Sequence, residues 1–502
     1  MRVAVIGAGA AGITAAYELA KGGADVDVYE AGDAVGGLAR TIDLWGQKVD
    51  LGPHRFFSND LRVNKLWLEV VGQDYDMVDR LTRIYYKKRF FDYPLKPANA
   101  LWNMGIFKAV SCVMSYFKEK IKPSFKEGQN ETFESWVVGR FGRQLFDMFF
   151  KSYSEKLWGI KCDELDADFA AQRIKKFSLG EAIKSALGFG KSKHKTLVDQ
   201  FAFPLEGTGV VYERMAKKVE ELGGNVYLNT PVRRILHENK KVYGLELTTG
   251  ETRKYDHVVS TMPFTLLVKG LGDLPVDIEY AVDQLKFRNT ILVYLNVGGK
   301  DLFKDQWLYI HSPDLGTGRV TNFCNWVPQI NGDSPNTILA LEYWCYDEDA
   351  MWKAKDEDLI AQATKEMRST GLIGEAPVLD GKVWRIKRCY PVYGRGYKQF
   401  LEPVVEHLKQ YEGITPIGRY GSFKYNNQDH SILMGLLVAE NLLHGTKHDL
   451  WQVNTDYSTY QESATITKTG LVRQGETEPM VLPRTTTIPL RERTEKEEPV
   501  HA

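Results

Sequence analysis

"VAVIGAGAAGITAAYELAKGGADVDVYE", residues 3–30, is the stretch that decides the fold. An apolar run leads into Gly7-x-Gly9-x-x-Gly12, an alanine-rich stretch with helical spacing follows, and the next strand ends at Glu30. The order predicts strand, tight turn, helix, strand. Each glycine has its own task in such a unit. Gly7 permits the turn, Gly9 lets backbone approach a pyrophosphate, Gly12 allows close helix–strand packing, and Glu30 can accept from a ribose hydroxyl. NAD and FAD both use this cradle, and residues 3–30 alone do not separate them.

Working outward, the 502-residue chain is 43% hydrophobic and 26% charged, an ordinary globular composition with material for a large core. Lys+Arg and Asp+Glu balance at 65 each, which speaks against a nucleic-acid-coating protein. The five cysteines are scattered with no CxxC pair, so no metal site and no disulfide framework is expected. "MRVAVIG" runs directly into a strand without the pattern of a leader, and a cytoplasmic location is the expectation. No integral membrane span is expected. The nearest candidate, "LWNMGIFKAVSCVMSYF" at 101–117, carries Lys108 and reads as a buried or amphipathic helix, with a membrane-surface helix as the minority alternative.

The fold class expected is α/β: a Rossmann-type nucleotide-binding domain interleaved with a helical domain and an antiparallel-sheet substrate domain. The divisions are 1–95 for the first part of the nucleotide-binding domain, 96–200 for a mostly helical insert, and 201–300 for the return of the nucleotide-binding part with its sheet. Residues 301–400 then form the substrate-binding sheet, 401–465 the closing part with a late helix, and 466–502, rich in Thr, Glu, Arg and Pro, a disordered or extended tail.

"AGDAVGGLARTI" places Gly37 and Arg40 shortly after Glu30. This resembles the second fingerprint of FAD-binding, amine-oxidase-type flavoproteins and favours a tightly held FAD over a diffusible NAD. "NVYLNTPVRRI" resembles the strand beside the adenosine in that layout, with Val232 as a backbone contact, and "DHVVSTMP" at 256–263 resembles the strand that returns to the cofactor.

Near the far end, "GRYGSFKYNNQDHSILMGLLVAENL", residues 418–442, joins a dense polar cluster to a helix that reads as mostly buried. The residues alone leave two explanations open: ordinary helix capping, or a helix N-terminus facing a polar ligand. Here several stretches resemble one family, the UDP-galactopyranose mutases. "GRYGSFKYNNQDHS" is similar to that family's GR-x-GS-x-KY…NQDHS motif, "LGPHRFFSND" to its GPH loop, and "LWGIKCDELDADFAAQR" to its Trp-to-Arg spacing. "WLYIHSPDLGTGRVTNFCNW" matches its WLYF…R segment, and the resemblance runs in consistent order over roughly residues 1–445.

That resemblance implies an FAD-dependent mutase interconverting pyranose and furanose forms of a nucleotide sugar. Reduced flavin N5 would be the covalent nucleophile, and no electrons would be consumed overall. It implies catalytic roles for His54, Arg173 and Arg319, and cofactor contacts from Arg419, Gln428 and Asp429. Substrate contacts would come from Trp158, Arg173, Tyr309, Arg319, Trp326, Tyr425 and Asn427. Two arginines from distant segments suit a diphosphate, because guanidinium groups bind it with bidentate, charge-assisted bonds. The expected partners are a nucleotide-diphosphate sugar and an electron donor that keeps the flavin reduced, while assembly into a homo-oligomer stays open.

The sequence also departs from the family. "DYPLKPAN" stands where fungal-type members read YPFQN, so Lys96 replaces the glutamine, and the GPH loop gains Arg55 while losing a second histidine. The alternative reading is an oxidoreductase of the same superfamily, of the protoporphyrinogen oxidase or amine oxidase type.

Overall fold

The computed structural model describes residues 1–93, 95–121, 131–168, 200–454, 464–468 and 470–473. β1 (Arg2–Ile6), α1 (Ala10–Lys21) and β2 (Asp25–Tyr29) form where the glycine spacing predicts them. β1 lies parallel to β2 on one side and to His257–Ser260 on the other. The parallel sheet extends to Ile414–Pro416 at one edge and Asn225–Tyr227 at the opposite one. Its central strands are buried on both faces, which is why β1 reads as a nearly unbroken apolar run, while β2 carries the buried Asp27. α1 packs against both Gly209–Glu221 and the late helix Gln428–His444, so three chain-distant segments close one core.

A second sheet of seven strands stands beside it, in the order Val378–Pro391, Phe287–Gly298, Asn336–Cys345, Arg319–Asn322, Trp307–Ile310, Thr82–Tyr86, Arg89–Asp92. All its pairs are antiparallel except Trp307–Ile310 with Thr82–Tyr86. Alternating side chains divide between two cores. Leu341 and Tyr343 face the helix Asp356–Thr370, while Ile338 and Ala340 face Trp307 and Trp326. This sheet takes two strands from residues 1–95 and one from 201–300, so the expected divisions at 95 and 300 do not follow the layers.

The insert is helical where it is described: α3 (Pro97–Met104), α4 (Ile106–Ile121), Phe133–Phe141, Arg143–Phe146 and Ser152–Trp158. One helix was not anticipated. α2 (Leu61–Val71) starts at Asp60, whose carboxylate accepts from the Arg62 and Val63 amides at 2.8 and 3.4 Å. Its signals, a capping aspartate ahead of spaced apolar residues and Gly72 just beyond, were present in the sequence. The beginning of the tail also needs correction. Ala464–Thr467 and Gly470–Arg473 form a hairpin whose Ile466 and Leu471 are buried in the core that contains α2. The remainder of the tail, 474–502, lies outside the described residues.

Candidate active site

A cavity of about 910 Å³ runs from the β1–α1 turn to the interior strands Trp307–Ile310 and Arg319–Asn322 of the second sheet. Its floor is the glycine turn. Gly7 has φ of +92°, and a Cβ there would fall 2.1 Å from Thr261 Oγ1. The second motif folds onto the first. The Gly36 amide donates to Ala8 O at 2.8 Å, and a Cβ on Gly37 would lie 3.1 Å from Gly9 Cα. Glu30 closes the floor, accepting from the Ala8 and Gly32 amides at 2.8 Å each. Each carboxylate oxygen keeps a lone pair for a hydroxyl. Val232 lines the same end. Arg40 does not line the cavity. It pairs with Asp33 at 2.7 Å and lies over the Trp384 ring, because the carboxylate seven residues back captures it first.

The late helix begins at the cavity. Asn427, Gln428, Asp429 and His430 all line it, and the Asn427 amide donates to His430 Nδ1 at 3.2 Å. Capping and exposure to the cavity therefore coincide at one helix end. Gln428 Oε1 accepts from Tyr212 at 2.7 Å, while its Nε2 is buried without a hydrogen-bond partner. Arg419 donates to Cys389 O at 2.9 Å and to Asn426 O at 3.1 Å, and its guanidinium lies over Tyr390 and Tyr425 at 4.5 and 4.4 Å.

His54 lines the cavity from the opposite side. Thr208 Oγ1 donates to its carbonyl at 2.9 Å, and Asp50 in turn accepts from the Thr208 amide at 3.1 Å and from Thr41 Oγ1. Burial raises the Asp50 carboxyl to about 7 despite those hydrogen bonds. Burial, and then the charges of Arg319 and Arg419, hold the His54 imidazole down to about 3. The ring keeps an open side toward the cavity, so the depression is fullest once the cavity is filled. His54 Nδ1 is buried without a protein partner. Two orphaned polar atoms on residues that line one cavity, Nδ1 of His54 and Nε2 of Gln428, fit a polar heterocycle with donor and acceptor edges. Together with a glycine turn where a Cβ at Gly7 or Gly12 would fall 2.1 or 2.0 Å from a neighbouring atom, they suit the FAD that the fingerprints imply.

At the far end, Arg319 makes a bidentate pair with Glu342, Nε and Nη2 each 2.6 Å from a carboxylate oxygen. Burial would lower the guanidinium, but the facing carboxylate raises it well above its ordinary value. Its Nη1 has no hydrogen-bond partner among the described residues. Tyr309 lines the cavity beside it, packed by Tyr93 at 5.0 Å and Tyr153 at 5.6 Å. Tyr425 and Asn427 complete the wall. Glu342 is a residue that the sequence reading missed. Its signal was a lone carboxylate in the apolar strand "NTILALEYWC", where a buried charge must have a partner.

Two expected residues stand apart from this wall. Trp326 is in the core, packed on Phe203 at 4.8 Å and Phe201 at 5.3 Å, and Trp307 lines the cavity instead. Trp158 is fully buried behind Tyr425, its ring 6.1 Å away, and does not line the cavity. Arg173 lies outside the described residues. Arg55, the departure in the GPH loop, does line the cavity, near Phe57.

Residues 10–443 match the sequence model of the flavin containing amine oxidoreductases. A probable UDP-galactopyranose mutase of Klebsiella pneumoniae is 27% identical over 455 residues, covering 88% of this chain and 94% of that protein. A coproporphyrinogen III oxidase of Staphylococcus aureus is 21% identical over 480 residues, covering 88% and 98%. Among solved structures, a reduced UDP-galactopyranose mutase superposes with a TM-score of 0.79 at 22% identity over 91% of this chain and 98% of that one. Among the described residues no helix is long and apolar enough to cross a membrane, and no cluster of metal-ligating side chains occurs.

Proposed function

The chain belongs to the flavin containing amine oxidoreductase family and its cofactor is FAD; from that premise we propose that it is a nucleotide-sugar mutase interconverting pyranose and furanose rings. The observation that carries this reading is the far wall of the cavity. Arg319 presents an unpaired Nη1 beside Tyr309, Tyr425 and Asn427, all within the cavity that holds the glycine floor. A cation flanked by hydroxyl and amide groups suits a diphosphate. When bound and reduced, FAD supplies the nucleophile for the anomeric carbon. The residues of this chain then position and exclude. Arg319, with Arg173, holds the diphosphate both before and after it leaves the sugar. Tyr309, held by a tilted contact with Tyr93 and an edge contact with Tyr153, fixes the direction of approach. His54 stays neutral and acts as a fixed dipole at the heterocycle rather than as a titrating base. Since the nucleotide that departs also returns, atoms and electrons balance with no oxidant.

A second reading, an oxidoreductase, has one specific observation in its favour. Glu342 already neutralises Arg319, and the adjoining wall carries the aromatic Tyr309, on which Tyr93 and Tyr153 pack. Both readings meet in one experiment. The protein is reduced anaerobically with dithionite and offered UDP-, GDP- and dTDP-sugars, with products separated by chromatography. A ring isomer formed only with reduced flavin supports the mutase. Absence of any isomer, with bleaching of the oxidised flavin by a porphyrinogen or an amine, transfers the chain to the oxidoreductase reading.

A further inference from the structure

α4 is amphipathic in the wrong direction for a core helix. Ala109 and Cys112 face the protein, and Ser111 and Ser115 meet Gln144. Ile106, Phe107, Val110, Met114, Phe117 and Ile121 all point outward. Phe107 is 90% exposed, Ile121 84%, and Val110, the least exposed, still 52%. At about 100° per residue these six positions fall within an arc of roughly 100°, so they form one continuous stripe along the helix. α3 extends it with Trp102, 89% exposed. Single exposed apolar residues need no explanation, but a contiguous aromatic and aliphatic stripe marks a surface that is covered in use.

The charges around the stripe select the partner. On the same helical wheel Lys118 and Lys120 flank the stripe on opposite sides, both exposed. The only acid in α4 is Glu119. The turn carrying exposed Lys87, Lys88 and Arg89 is tied to α3, because the Arg89 guanidinium donates to Asn103 O. The apolar stripe is thus bordered by cations from two elements. A second copy of this chain laid on the same face would bring lysines against lysines. An anionic lipid surface accepts both features: aromatic and aliphatic side chains enter the acyl boundary while lysines remain at the headgroups.

We propose that the α3–α4 face docks this protein on anionic lipid surfaces without crossing them. The face is close to the cavity: the strand Arg89–Asp92 leads from it to Tyr93, which packs on Tyr309. The docking does not depend on which reaction the cavity performs.

The test uses the full-length flavoprotein in flotation with vesicles of equimolar phosphatidylglycerol and phosphatidylcholine, and with phosphatidylcholine alone. The wild type is expected to float with the anionic vesicles, and to be released when salt is raised to about 1 M, where the screening length is about 3 Å. The Phe107→Ser/Ile121→Ser variant should lose at least about tenfold in partitioning while keeping its flavin. The Lys118→Glu/Lys120→Glu variant should lose binding to anionic vesicles with the apolar stripe intact. The proposal is overturned if the wild type stays at the bottom of the gradient, or if the serine variant floats as well as the wild type. It is equally overturned if sedimentation reveals a dimer that the serine substitutions dissociate, since a second copy would then cover the face.

Discussion

Replacing Glu342 by Gln removes one charge from a pair that is almost wholly inside the protein, with side-chain exposures of 17% for Arg319 and 2% for Glu342. The volume and one acceptor oxygen are kept, so packing changes little and the loss is electrostatic. Breaking a buried pair by removing one partner costs about 3–5 kcal/mol, because the remaining charge is left uncompensated. The retained amide oxygen and the open side toward the cavity place this variant near the lower figure, about 3 kcal/mol. The same change should strengthen anion binding, since an added diphosphate becomes the only counter-charge to Arg319. Recovery of about half the loss corresponds to roughly a tenfold gain in affinity, or 1.4 kcal/mol. The assay is urea unfolding of the flavin-loaded protein with and without UDP. The variant should unfold at lower urea than the wild type and gain more from UDP, as mass action requires of a ligand that binds only the folded state. Equal midpoints without ligand, or an equal or smaller gain with it, would refute the assignment of this wall to a diphosphate.

Other outcomes follow from the same geometry. Asp50 has its carboxyl raised from 3.8 to about 7 by burial. Its protonated form is therefore the one favoured in the fold, so its contribution is fully present below about pH 4 and is lost as pH rises to about 7. Asp50→Asn should accordingly gain on the wild type by up to about 4 kcal/mol between those limits, and a wild-type-to-variant difference that is flat with pH would contradict this. Gly7→Ala places a Cβ 2.1 Å from Thr261 Oγ1 at a φ of +92°, and the purified variant should lack the visible absorbance of bound flavin. Trp326→Ala should cost about 3–5 kcal/mol as a core truncation and leave nucleotide-sugar KM unchanged, whereas an altered KM would return Trp326 to the substrate wall. Arg173→Ala should lose about 1.5–3 kcal/mol of nucleotide-sugar affinity with FAD retained, as read by calorimetric titration.

What could be read from the sequence divides along a physical line. The β1–α1–β2 unit was legible because its periodicity and its glycines act locally: a turn that tolerates no Cβ declares itself in one chain segment. The late helix was legible from its apolar spacing, and the double role of its N-terminus was legible as a question. Arg40 and Trp326 were not placed, because what decides them is a competitor elsewhere. Asp33 captures the first, and the apolar pair Phe201 and Phe203 captures the second. The lone carboxylate of Glu342 stood out in its apolar strand, but its partner was set only by strand pairing, which places it opposite Arg319 in register. The outward face of α4 looked like a core pattern, since an apolar stripe has the same period whether protein or another phase covers it.

The order of strands in the parallel sheet also governs how this enzyme can be made. β1 and β2 leave the ribosome well before their partners: β1 waits for His257–Ser260 as its other neighbour, and α1 waits for Gln428–His444. At synthesis rates of about 5–20 residues per second, the nascent glycine turn spends on the order of 10–50 seconds beside an unpaired strand edge. Edges of that kind recruit other chains. The cavity that would hold the flavin is lined by residues from Ile6 to Ser431, so its wall is complete only once that late segment has been made. Chains interrupted before residue 428 should accumulate as aggregates rather than as a cofactor-free enzyme, and the yield of active protein should depend on how long that edge is shielded during translation.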